Sequence, residues 1–109
     1  MNVLFYNDYE NAYNIIDSIF LKYPKNTFAY VEELNIALKE KNRQRIEHAL
    51  HFLEDISDIN YVNIQKAKIM LLAFDGKFDD AIVFAKSKLT MLSERKIEEF
   101  IKELYKISH

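Results

Sequence analysis

Apolar residues recur at three- and four-residue steps along nearly the whole chain, the spacing that gathers side chains on one face of a helix. Tyr9, Ala12, Ile16, Ile19, Phe20 and Tyr23 form the first such stripe, after an apolar start at Val3–Tyr6 too brief for a helix of its own. Asn7 or Asp8 can cap this helix, and Glu10 suits the positive end of its dipole. Pro24 ends it after about fifteen residues, because its ring forbids helical geometry at Tyr23 and it has no amide to donate. Asn26 or Thr27 caps a second helix that carries Phe28, Tyr30, Val31, Leu34, Ala37 and Leu38. The polar run from Lys39 to Arg43 reads as a turn, and Ile46, Ala49, Leu50, Leu53 and Ile56 mark a third helix. Asp58 or Asn60 can cap a fourth, over roughly Tyr61 to Phe74, whose apolar residues near Ile69 to Phe74 cover most of its circumference and make it the most buried. Phe78, Ala81, Ile82, Ala85 and Leu89 give a fifth helix. Ser93 caps a sixth with Ile97, Phe100, Ile101, Leu104 and Tyr105, and its charged opposite face makes residues 94–108 a solubilising C-terminal cap.

The stretch Leu71 to Leu89 organises the rest: the end of one apolar helix, a tight turn at Asp75-Gly76, and the start of an amphipathic helix. Gly76 there adopts the left-handed conformation that costs glycine little. The chain holds one Gly and one Pro, too few for the repeated turns of sheet proteins, so composition strengthens the all-α reading. Half of the 109 residues are hydrophobic, enough for one domain over 1–109 with a core of its own. Helices joined by turns of about two to five residues pack antiparallel to their neighbours. The small residues Ala12, Ala49, Ala81 and Ala85 permit close approach, and Tyr9 and Phe78 fill the gaps beside them. Truncating a fully buried Phe78 to Ala would cost about 3 to 5 kcal/mol.

Two segments share one pattern of turn residue, polar residue, aromatic, two polar residues and a small residue: Asn7-Asp8-Tyr9-Glu10-Asn11-Ala12 and Gly76-Lys77-Phe78-Asp79-Asp80-Ala81. Their alanines lie 69 residues apart (81 − 12). That is twice the period of about 34 residues of a known helical-hairpin repeat. Pro24 follows Ala12 by twelve residues, as Ser93 follows Ala81. On Tyr9, Ala12, Pro24, Gly76, Phe78 and Ala81 the chain resembles the tetratricopeptide repeat (TPR) family. The middle unit places Lys41, Arg43 and Ile46 at the matching positions, while its apolar spacing is better served by Ala49, and the family's tryptophan and leucine-glycine pair are not reproduced. The resemblance covers about residues 7 to 93 and implies antiparallel hairpins stacked as a short right-handed α-solenoid of about six helices. The first hairpin would be incomplete. Its open apolar face points to a homodimer through the N-terminal helix or to an N-terminally truncated chain.

Charge and chemistry narrow the function classes. Fifteen basic against seventeen acidic residues give a net charge of −2, with no bias toward nucleic acid or anionic membrane. No apolar run approaches a membrane span and no leader is recognisable, so a soluble, cytoplasmic protein is expected. The absence of cysteine excludes disulfides and Cys-based metal or redox sites. His48 and His51, with Asp55 at i+7, share a helical face that could hold a metal; a solvated polar face is the favoured reading, and no metal or cofactor is expected. His109 stands apart. A single glycine rules out phosphate-cradling loops and nucleophile elbows, so no enzyme is expected. The basic positions Lys39, Lys41, Arg43 and Arg45 are interrupted by Glu40 and Glu47 and read as a solvated turn rather than a nucleic-acid site.

A binding scaffold remains. The resemblance implies a concave groove formed by the second and fourth helices, with Phe28, Glu32, Asn35 and Lys39 from one and Asn63, Lys66, Met70 and Phe74 from the other. An extended peptide or partner helix would lie there, with Asn35 and Asn63 suited to bond a peptide backbone. The alternative is a compact helical inhibitor of immunity or antitoxin type that masks one cognate protein.

Overall fold

Among the described residues the helical periodicity is realised in six α-helices: α1 (Tyr9–Lys22), α2 (Thr27–Glu40), α3 (Arg43–Leu53), α4 (Tyr61–Phe74), α5 (Phe78–Lys88) and α6 (Glu94–Ile107). The structure, a computed structural model, describes residues 9–56 and 61–107, and no strand occurs among them. The expectations for Val3–Tyr6, for the caps at Asn7, Asp8, Asp58 and Asn60, and for His109 lie outside the described residues. Among those described, no helix is long and apolar enough to cross a membrane.

Local chemistry sets the helix ends. The Tyr23 amide still donates to the Ile19 carbonyl at 2.7 Å, and Pro24 stops α1 there. The Asn26 side chain accepts from the Ala29 amide at 3.0 Å and starts α2. Asn42 does the same for α3, accepting from the Arg45 amide at 3.1 Å, so the polar run after Lys39 contains a cap as well as a turn. Ser93 caps α6 through the Lys96 amide at 3.3 Å.

The α2–α3 and α4–α5 hairpins close with the same turn. Lys41 (φ 61°) and Gly76 (φ 82°) both lie in the left-handed region, 35 residues apart (76 − 41). Behind each, an amide reaches back five residues: Asn42 to the Ala37 carbonyl at 3.0 Å, and Lys77 to the Leu72 carbonyl at 2.9 Å. This arrangement satisfies the last carbonyls of a helix. In this register the counterpart of Ala81 is Ile46, 35 residues earlier (81 − 46), and Ala49 corresponds to Phe84.

The chain forms two compact units that divide between Ser57 and Asp58. In the first, α2 packs against both α1 and α3. Leu34, Ala37, Ile46, Ala49 and Leu53 are fully enclosed, with Tyr13, Ile16, Ala29 and Leu50 around them. In the second, α4, α5 and α6 pack against one another. The second core is built from Ala67, Ile69, Ala81, Ala85, Leu89 and Leu104. The helix α4 buries six residues, more than any other described helix, as its all-round apolar sequence predicts. Four stripe positions differ from expectation. Tyr23, Phe28 and Tyr105 are 62%, 73% and 48% exposed, and Phe78 is only half-buried, its ring 4.6 Å from that of Tyr105.

Candidate functional site

The first unit presents two different faces of α1, and the sequence spacing shows why. Tyr13, Asp17 and Phe20 follow one stripe; Ala12, Ile16 and Ile19 lie one residue earlier, about 100° around the helix. The first stripe meets α3 in a polar clasp, and the second borders α2 in an apolar groove.

The clasp is centred on Glu33 of α2, whose side chain is fully enclosed. Glu33 sits between Ala29 and Ala37 at four-residue steps, on the buried stripe of its helix. Its carboxylate accepts from Arg45 Nη1 at 3.0 Å, and His48 Nδ1 lies 2.8 Å from Oε1. A carboxylate only accepts, so Nδ1 of His48 carries the proton and Nε2 is the ring's other nitrogen. Arg45 also grips Asp17 of α1 through two parallel bonds of 2.8 Å. Its guanidinium lies 4.4 Å from the centre of the Tyr13 ring. The Tyr13 hydroxyl donates to Glu40 Oε1 at 2.7 Å, and the Asn42 side-chain amide donates to the same oxygen at 3.1 Å.

These contacts explain the titration of the group. The hydrogen bond from Arg45 outweighs the opposing effect of burial and, with the lesser effect of the Arg45 charge, holds the Asp17 carboxyl below its ordinary value of 3.8. Asp17, and then Glu33, push the Arg45 guanidinium further up, so it stays charged. Burial and the bond to Glu40 push the Tyr13 phenol well above its usual range. Rings complete the clasp: Tyr30 stacks on Phe52 with centroids 4.0 Å apart, and Phe20 and Tyr30 flank His48 at 5.6 and 5.5 Å. An open cleft of about 760 Å³ lies over the clasp, lined by Asp17, Phe20, Gln44, Arg45, Glu47, His48 and His51. No hydroxyl or thiol nucleophile is among those residues. Among the described residues no group of three or more His, Asp or Glu is placed to hold a metal ion.

The groove is smaller, about 220 Å³, and almost wholly apolar. Ala12, Ile15, Ile16 and Ile19 of α1 form one wall, and Phe28, Ala29, Glu32 and Ile36 of α2 the other. Ile15 is 58% exposed and Phe28 73%, so large apolar side chains flank it in water.

The residues expected to bind a partner fall in different environments. Phe28 and Glu32 come together in this groove. Asn35 is half-buried on α2, and Lys39 is exposed near its end. In the second unit Asn63 and Phe74 are half-buried, whereas Met70 is only 3% exposed and belongs to the core rather than to a surface groove. Lys66 is half-buried, its ammonium 5.5 Å from the centre of the Phe100 ring. Desolvation, aided by the charge of Lys96, lowers its pKa.

Arg45 and His48 depart most from the sequence reading. Neither belongs to a solvated turn or a featureless polar face: Arg45 bridges α1, α2 and α3, and His48 bridges α2 and α3. The available signal was Glu33 itself, a charge on an otherwise small and apolar stripe, which demands a buried cation. Compared with family models, curated proteins and solved structures, the chain finds a match in none of the three.

Proposed function

We propose that the chain is a non-enzymatic scaffold that binds a protein or peptide partner through the α1–α2 groove, and that its hairpins stack as a short right-handed TPR-like solenoid. The observation that carries the binding reading is the groove itself. Two adjacent apolar stripes border it, and its flanking Ile15 and Phe28 are left in water although both are large and apolar. Along α1 the stripe from Ala12 to Ile19 is about 10 Å long, two turns of an α-helix. The complementary occupant is an amphipathic helix that lays its apolar face between α1 and α2, with Ala12 and Ala29 admitting close approach. The clasp on the other side of α1 fixes that helix to α3 and so keeps the groove in shape. The TPR-like reading is supported by the matching left-handed turns at Lys41 and Gly76, 35 residues apart. The lack of cysteine fits a cytoplasmic place of action.

A photo-crosslinking phenylalanine analogue placed at position 28, in the full chain expressed in its native cell, tests the binding reading. A control carries it at Val83, similarly exposed on α5. The expected result is one discrete adduct at position 28 that the Val83 position does not give. An adduct at twice the chain's mass identifies a second copy as the partner, as a homodimer through α1 requires. Absence of any position-specific adduct contradicts the scaffold reading. Small-angle scattering tests the solenoid: a curved elongated slab supports it, and a near-spherical profile removes it.

A further inference from the structure

We infer that the partner of the α1–α2 groove is an amphipathic helix that carries an arginine or lysine on its apolar face, set against Glu32; this rests on the binding reading above. Among the described residues Glu32 is the only charged one lining the groove. It is half-buried and makes no hydrogen bond or ion pair among the described residues. Its neighbour in sequence shows the contrast. Glu33, turned about 100° around α2, is fully enclosed and held by Arg45 and His48. The chain therefore neutralises the carboxylate that its own core encloses and leaves Glu32 to water.

An apolar helix laid into the groove would strip water from Glu32 and leave a buried charge with no compensation. A cation on the incoming face removes that penalty, and an acidic residue there is repelled. Phe28, Glu32 and Ile36 follow one another at four-residue steps on α2, so they form a single strip. A guanidinium bonded to Glu32 can lie over the Phe28 ring while its methylene stem rests on the apolar wall. Planar stacking favours arginine over lysine at this place. The fit is selective: the groove accepts a helix with apolar anchors over about two turns and one cation among them.

The test selects displayed amphipathic peptides of about 16 residues on the full chain, with all charged positions randomised, and then measures selected peptides by fluorescence anisotropy. Peptides that dock here lose binding to a Phe28→Glu variant. They carry Arg or Lys at a fixed spacing from their apolar anchors. Replacing that cation by norleucine weakens binding to the wild-type chain about tenfold, the size of a charge-assisted hydrogen bond. The same replacement has less than about a twofold effect on Glu32→Gln, and Glu32→Lys reverses the preference toward acidic peptides. Circular dichroism of each variant confirms that the fold is kept. Phe28-dependent peptides with no basic preference overturn the cation and leave the groove standing. Failure to recover any Phe28-dependent peptide overturns the groove as well.

Discussion

Replacing Arg45 by Met probes the clasp most sharply, because one side chain there serves three helices. The fully enclosed Glu33 carboxylate would keep His48 but lose the Arg45 bond of 3.0 Å and the nearby positive charge. Breaking a buried pair by removing one partner costs about 3 to 5 kcal/mol. Here the Arg45 and Asp17 side chains are 26% and 48% exposed, so water screens part of the network. The loss is therefore set at about 2 to 3 kcal/mol. Removing both charges, in Glu33→Leu with Arg45→Met, leaves no buried charge unpaired. The double variant should be more stable than Arg45→Met alone by about 1 to 2 kcal/mol, a non-additivity that a mere packing defect would not give. Urea unfolding followed through the methyl resonance of Ile46, in the core beside the clasp, reads the loss. The loss should appear at Ile46. A cost below about 1 kcal/mol at Ile46, or a double variant worse than the single, refutes the clasp as described.

Asp17 gives the clasp an acid dependence. Its carboxyl titrates below 3.8 in the folded chain, so its contribution is fully present above that value and disappears as pH falls through the folded one. Asp17→Asn lacks the contribution at every pH, so the urea midpoints of wild type and variant should converge as pH falls below 3.8, and a constant gap would contradict the pairing. The two left-handed turns make opposite predictions. Lys41→Gly should stabilise the first unit by about 1 kcal/mol, and Gly76→Ala should cost the second about the same, since only backbone strain and not space is at issue. Thermal melts that show no gain for Lys41→Gly would count against a left-handed Lys41. Lys66 loses charge early because its amine is desolvated and faces Lys96, so after reductive methylation its NMR signal should titrate at lower pH than that of a free methylated lysine. A coincident midpoint would remove it from its place over Phe100.

Local signals carried most of the helix boundaries. Pro24 stops α1, Ser93 caps α6, and α4 is the most buried helix described because its residues near Ile69 to Phe74 are apolar over most of the circumference. What escaped was decided at a distance. Glu32 and Glu33 are identical in type and adjacent, yet one faces a groove and the other the Arg45 guanidinium twelve residues on, and only the positions of Asp17 and Arg45 distinguish them. Lys41 carries no chemical sign of a left-handed turn; the closure of the hairpin imposes it. Phe28 fits the periodicity of an apolar stripe, but lies at the groove, where its ring is left 73% exposed. Met70 shows the reverse: its place on the solenoid's expected inner face gave no hint that it is only 3% exposed.

If the first unit recognises its partner between α1 and α2, isoleucine methyl spectra will show it, because Ile15, Ile16, Ile19 and Ile36 line that groove while Ile64, Ile69, Ile82 and Ile97 sit in the second unit. On titration with a peptide selected on the full chain, the first four methyl signals should shift in a saturable manner, and Phe28→Glu should abolish the shifts. Shifts centred on the second four, or unchanged signals from the groove at saturation, would contradict recognition there.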